Sequence, residues 1–201
     1  MRTRTRSGLT VLAAIAVTAG LLAGGGPALA ATTPGWEPDA NALGSIALYD
    51  ADGNPVTGGD LGDHPVAWYS VASGDGRPGD SKAQLQAYTP QEGVSPAFWS
   101  GDTLTASTTY PNVDAPAGIA GLTSPVASGS ADDLSLADYI GELPNTSTTD
   151  GYAGLYELRL YTTGPGQSPS AAYYRTDIEV TVTGVGPDGS LTGSWTAVSP
   201  S

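Results

Sequence analysis

Residues 155–160, LYELRL, alternate strictly between apolar and charged side chains in their central part. Successive side chains of a β-strand point to opposite faces, so Tyr156 and Leu158 share one face and Glu157 and Arg159 share the other. One packed face and one solvated face are typical of an antiparallel sheet. We therefore expect Tyr156 and Leu158 in a core and the two charged side chains in water.

Residues 178–183, IEVTVT, repeat this alternation, with Ile178 and Val180 opposite Glu179. The chain contains 28 glycines and 16 prolines, which divide it into short runs of β-branched and aromatic residues. Such runs are typical of all-β proteins, and about eight of them are enough for a two-sheet sandwich. The further runs are 45–49, 56–57, 66–71, 83–87, 104–106 and 191–198.

Two motifs resemble those of immunoglobulin-like sandwiches. Residues 65–69, PVAWY, look like the strand that carries the core tryptophan, and residues 149–158, TDGYAGLYEL, resemble the D-x-A-G-x-Y-x-C corner with Leu158 in the cysteine position. The resemblance implies that Trp68 lies in the core and that the Tyr156 hydroxyl bonds to backbone upstream. The expected fold is all-β, an immunoglobulin-like antiparallel β-sandwich with one long irregular insertion that carries a short helix.

Five segments are also similar to a group of exported actinomycete proteins that carry an immunoglobulin-like β-sandwich module. The resemblance implies a secreted or wall-associated module, and it implies no catalytic activity. The segments are 35–40 (GWEPDA), 99–101 (WSG), 109–112 (TYPN), 152–159 (YAGLYELR) and 195–198 (WTAV).

The N-terminus has the pattern of a secretory signal peptide. Three arginines within the first six residues precede an apolar run at 9–22, and the small-residue site ALA follows at 28–30. The apolar run is about 14 residues long, which is short of the ~20 needed to span a bilayer. The predicted organisation is a signal peptide at 1–30 and a single β-sandwich domain at 31–201. The protein is expected to be extracellular, with no membrane insertion after cleavage.

The charge and the missing cysteine exclude several classes of function. The formal net charge is −13, and the acidic residues lie outside the predicted signal peptide, so the mature chain repels nucleic acids and anionic membranes. Without cysteine there are no disulfides and no thiolate chemistry. The only histidine is His64, in a turn before Pro65. We therefore expect no enzymatic activity, and a secreted hydrolase is the least favoured class.

Residues 107–150 form the long irregular insertion. They are rich in Ser, Thr, Gly, Ala and Pro, and no part of them predicts a convincing strand. A short helix is predicted at 133–140, with Leu136, Tyr139 and Ile140 on one face. So long a connection is typical of a functional or partly disordered segment. Two interpretations stay open here: the helix caps an end of the sandwich, or the insertion is a binding surface.

A candidate calcium site lies at residues 50–54, DADGN. Asp50, Asp52 and Asn54 place oxygen-bearing side chains at alternate positions, as at the start of a calcium loop. The acidic residue that completes an EF-hand is missing. A tight turn between two strands needs the same residue types, because Gly53 accepts a positive φ and Asp side chains bond to nearby backbone. Both interpretations stay open, and no other cofactor is predicted.

Aromatic side chains in and before the insertion are the candidate ligand contacts. Phe98 and Trp99 follow a proline and precede a glycine, and Tyr110 lies in the insertion. Their display on the surface would favour a binding module, whereas their burial would place them in the core. The predicted function is a secreted, non-enzymatic module with a structural or surface-contact role. The alternative is a carbohydrate- or calcium-dependent module that binds a cell-wall polymer or another surface protein.

Overall fold

A computed structural model describes residues 38–148 and 152–198. The predicted signal peptide at 1–30 lies outside these residues. The described chain is mostly strand, with one α-helix and one 3-10 turn. The strands are β1 Ala42–Tyr49, β2 Pro55–Val56, β3 Gly58–Asp60, β4 Tyr69–Ala72, β5 Lys82–Thr89, β6 Ser100–Thr103, β7 Thr108–Thr109, β8 Val126–Ser128, β9 Leu155–Thr163, β10 Tyr173–Val185 and β11 Leu191–Ala197. The helix α1 is Leu136–Glu142, and the 3-10 turn is Pro96–Phe98.

The described strands form one mixed sheet, whose main path has the order β6-β5-β9-β10-β1-β4-β8. Off this path, β11 also pairs with β10, and β3 pairs with β11. Strand β1 joins two portions of this sheet. Its first half pairs in parallel with β10, and its second half pairs antiparallel with β4. The expectation of a wholly antiparallel arrangement is therefore wrong at β1, because its first half hydrogen-bonds along β10 in the same direction. Gly44 lies at this junction, where a Cβ would come within 2.5 Å of Ser73 Oγ.

One buried hydrophobic cluster contains residues from both portions of the sheet. The prediction that Tyr156, Leu158 and Val180 face a core is confirmed, and Leu158 has no exposed surface. Trp195 on β11 is also buried in this cluster. Further members are Leu85, Ile178, Ile46, Leu48, Val71 and Val126.

Trp68 does not take the core position that the resemblance implies. Its side chain is 37% exposed, whereas Val66 before it and Val71 after it are buried. The backbone of Trp68 is held on both sides, since its N–H donates to Tyr49 O and its carbonyl accepts from Gly129 N. This anchored segment turns the indole outwards. The core expectation for Trp68 is therefore wrong.

The solvated face predicted for β9 is also wrong. Glu157 and Arg159 are 0% and 1% exposed, so β9 is buried on both faces. The guanidinium carbon of Arg159 lies 3.9 Å from the ring centroid of Tyr88 and 4.2 Å from that of Tyr173. Trp99 covers the same group at 5.3 Å. Three aromatic rings thus form a second layer over the charged face of the strand.

The buried charges on this face compensate one another. Arg159 Nε donates to Glu157 Oε1 at 2.5 Å, and Arg175 Nη1 donates to Glu157 Oε2 at 2.5 Å. Arg175 also pairs with Asp177 at 3.3 Å, and Arg159 Nη2 donates to the carbonyl of Pro96 at 3.0 Å. Burial raises the pKa of Glu157, while the two guanidinium groups act in the opposite direction. These four charged side chains form a buried ion network. Removal of one member would leave the charge of its partner buried without compensation.

The insertion at 107–150 contains more regular structure than its composition predicts. It includes the short strands β7 and β8 as well as α1, so the expectation that it carries no strand is wrong. The helix begins at Leu136 rather than at residue 133. The predicted face is confirmed, because Leu136, Tyr139 and Ile140 are all buried in the core cluster. This arrangement supports the capping interpretation of the helix.

Ser135 caps α1, and its replacement by alanine is expected to lower the free energy of unfolding by about 0.5–2 kcal/mol. Its Oγ accepts the N–H of Asp138 at 3.1 Å, and the Asp138 carboxylate accepts the Ser135 N–H at 3.0 Å. Urea denaturation measures the loss, with the exposed Ser147→Ala as the control. Equal stability of the two variants would show that this cap does not stabilise the helix.

Candidate binding cleft

A cleft of about 290 Å³ lies beside the turn after β1, strand β3 and the segment that leads into β4. Its walls come from residues 49–50, 56, 58–59 and 63–68. Residues of α1 lie close to one rim, because Asp138 is 3.9 Å from the imidazole of His64. The cleft is therefore built by one short part of the chain, with α1 beside it.

Trp68 supplies an aromatic surface in this cleft. Its indole is partly exposed, and the side chain of Tyr49 lines the same space in a half-buried position. The backbone of the two residues is connected by the hydrogen bond from Trp68 N to Tyr49 O at 2.9 Å. An indole has few rotatable bonds, so an exposed one on an anchored backbone offers a flat apolar face at low entropic cost on binding.

Asp63 and His64 supply polar groups to the cleft. Asp63 Oδ2 accepts the N–H of Asp60 at 3.0 Å. His64 Nδ1 lies 2.7 Å from the carbonyl oxygen of Asp133. A carbonyl can only accept, so Nδ1 carries the proton in this contact, and Nε2 lies 3.9 Å from Asp138 Oδ2.

Gly58 and Gly59 form a part of the cleft where no side chain would fit. A Cβ at Gly59 would lie 3.0 Å from both Asp63 Oδ2 and Trp195 Nε1, and one at Gly58 would lie 2.7 Å from Trp195 O. Trp195 Nε1 is buried and has no hydrogen-bond partner within the described residues. A donor without an acceptor therefore lies directly behind Gly59.

The candidate calcium residues form a hydrogen-bonded turn at the edge of the cleft. Asp50 Oδ1 accepts the N–H groups of Asp52 at 3.0 Å and Asn54 at 2.8 Å, and Oδ2 accepts Asn54 Nδ2 at 3.0 Å. The side-chain bond from Asn54 is the main cause that lowers the pKa of Asp50. Gly53 has a φ of 83°, which suits glycine in a turn.

This geometry supports the turn interpretation, since both Asp50 oxygens already accept hydrogen bonds. Among residues 38–148 and 152–198, no three His, Cys, Asp or Glu side chains lie together as metal ligands would. Calcium binding at Asp50, Asp52 and Asn54 stays a prediction.

The three candidate aromatic contacts do not form one surface. Phe98 is 80% exposed, whereas Trp99 and Tyr110 are buried. The 3-10 turn before Trp99 directs Phe98 outwards, and Trp99 Nε1 donates to Val94 O at 2.9 Å within the fold. Of the two alternatives for Trp99 and Tyr110, burial in the fold is therefore the one observed, and their display to a ligand is not. Contact through Phe98 stays a prediction.

The residues of the cleft were not predicted as a binding site from the sequence. The resemblance to immunoglobulin-like sandwiches places Trp68 in the core, and the sequence alone indicates only a turn at His64. A usable signal was the polar stretch Asp63-His64 directly before the tryptophan segment. It predicts a turn that leaves nearby side chains on the surface.

No protein-family model, curated protein or solved structure matches this chain. Within the described residues no helix has the length and apolarity needed to cross a membrane. A functional assignment therefore rests on the geometry of the cleft.

Proposed function

We propose that this protein is a secreted, non-enzymatic module with an immunoglobulin-like β-sandwich, and that it contacts a cell-wall polymer through the Trp68 cleft. The partly exposed Trp68 in a concave, polar-lined space is the observation that carries the proposal. Tryptophan is enriched among the residues that contribute most of the energy at contact surfaces. The pattern of residues 1–30 supports export to the cell exterior.

One hydrogen bond and the composition of the core support the immunoglobulin-like part of the proposal. The Tyr156 hydroxyl accepts the backbone N–H of Asn145 at 2.7 Å, which fits the upstream bond of a tyrosine corner. The core cluster also combines residues of both portions of the sheet, as the core of a sandwich does.

The state of Asp50 argues against this group as a catalytic proton donor. A carboxyl group that donates a proton in catalysis needs a pKa raised towards neutrality. The pKa of Asp50 is instead lowered by its bonds within the turn. The residues that line the cleft include no serine, threonine or cysteine that could serve as a nucleophile.

Replacing Trp68 with alanine is expected to weaken retention on insoluble cell-wall material at least about tenfold, because aromatic anchors carry a large share of contact energy. Sedimentation of the purified protein with the wall fraction measures retention. Phe98→Ala is the matched control, since it removes an exposed ring outside the cleft.

Two outcomes would contradict the proposal. If Trp68→Ala left retention unchanged and Phe98→Ala removed it, the contact surface would lie on the 3-10 turn. A wild-type protein that is not retained at all would favour a purely structural spacer.

A further inference from the structure

The cleft is lined by the carboxyl groups of Asp50 and Asp63 and by the imidazole of His64. Of the Lys and Arg residues that the structure describes, none lines it. Arg159 and Arg175 are engaged in the buried ion network, and Arg77 pairs with Asp80 at 2.9 Å. The carboxylates of Asp50 and Asp63 therefore have no Lys or Arg partner in the cleft.

Asp63 keeps one carboxylate oxygen available for a ligand. Its Oδ2 accepts the Asp60 N–H, and its Oδ1 makes no hydrogen bond to the described part of the chain. The residue is exposed at the mouth of the cleft. An ionised carboxylate in this position attracts a cation and accepts its hydrogen bonds.

The aromatic side of the cleft suits the same kind of ligand. A cation or a face of C–H groups packs favourably on the indole of Trp68. The overall charge of −13 adds long-range attraction for cations and repulsion for anions.

The two features together restrict the kind of ligand that fits. An ammonium group alone would satisfy Asp63 but would leave the indole of Trp68 uncovered. The ligand that fits the cleft thus carries both a positive charge and a face of C–H groups.

We propose that the cleft binds a saccharide with free amino groups, with its ammonium on Asp63 and its apolar face on Trp68. The inference rests on the proposed contact function of the cleft and names the ligand class. Neutral sugars lack the charge, and acidic sugars are repelled by Asp50 and Asp63.

Titration calorimetry with two β-1,4-linked hexasaccharides tests this inference. One is built from glucosamine, and the other is its fully N-acetylated counterpart, so the two differ in charge on the same backbone. The wild-type protein is expected to bind the glucosamine hexamer at least about tenfold more tightly, a difference of about 1.4 kcal/mol. Asp63→Asn is expected to abolish this preference.

Asp75→Asn is the matched control, because it makes the same change of charge beyond the opposite end of β4. It is expected to keep the preference. If the Asp63 and Asp75 variants lost the preference for the glucosamine hexamer to the same extent, the inference would be overturned. The preference would then come from unspecific attraction to an acidic protein.

Two further outcomes separate this inference from the proposed function. Equal or tighter binding of the N-acetylated hexamer, lost in Trp68→Ala, would overturn the amino-sugar assignment and leave the contact function standing. If neither hexamer binds, the inference is overturned, and wall retention of Trp68→Ala then decides the contact function separately.

Discussion

Replacing Glu157 with alanine is expected to lower the free energy of unfolding by about 3–5 kcal/mol, the usual effect of breaking a buried ion pair. Glu157 has no exposed surface and accepts hydrogen bonds from Arg159 and Arg175. Its removal leaves the guanidinium of Arg159 buried without its carboxylate. The aromatic rings around that group attract a cation, but each such contact is weaker than the lost ion pair.

Urea denaturation of the Glu157 variant gives the effect, with Glu179→Ala as the control. Glu179 is exposed on the neighbouring strand β10, so its replacement is expected to change stability by less than about 0.5 kcal/mol. If both variants unfolded at the same urea concentration, Glu157 would be solvated and the second layer over β9 would be absent.

Replacing Leu158 with alanine is expected to cost about 2–5 kcal/mol, because the change leaves a cavity in a closely packed core. Leu158 is fully buried between the neighbouring strands, opposite Ala87 on β5 and Thr176 on β10. Neither neighbour is large enough to fill the space that the leucine leaves.

Val182→Ala is the control for this second prediction. Val182 is 47% exposed near the end of β10, and its replacement is expected to cost less than about 1 kcal/mol. Thermal or urea denaturation of both variants gives the comparison. If the Val182 variant were as destabilised as the Leu158 variant, the assignment of which side chains of β9 and β10 face the core would be wrong.

The apolar face of β9 could be predicted because the information is local. The spacing of Tyr156 and Leu158 alone places them on one side of a strand. The face of α1 follows in the same way from the spacing of Leu136, Tyr139 and Ile140. Both sets are buried.

The other face of β9 could not be predicted from the same pattern. Alternation shows that Glu157 and Arg159 lie opposite the core, but it does not show whether water or more protein covers them. The cover comes from Tyr88 and Trp99, which are distant in the sequence. Charged residues are rarely buried, so the sequence alone favours exposure of Glu157 and Arg159 to water.

The cleft could not be predicted from the sequence for a related reason. The turn at Asp50 follows from local residue types, and its hydrogen bonds are those of a turn. The cleft, in contrast, needs this turn, Gly59 and Trp68 to meet through strand pairing. Strand pairing of this kind is a property of the whole sheet, which short motifs do not encode.

The most direct test of the Trp68 cleft as the contact surface is a nuclear magnetic resonance titration of the tryptophan indole N–H signals with soluble cell-wall fragments. The chain contains 4 tryptophans, so assignment through single replacements is practical. We predict that the Trp68 signal shifts and saturates, while that of Trp99, buried and bonded to Val94, stays in place. A saturating shift of Trp99 with an unchanged Trp68 signal would contradict the account.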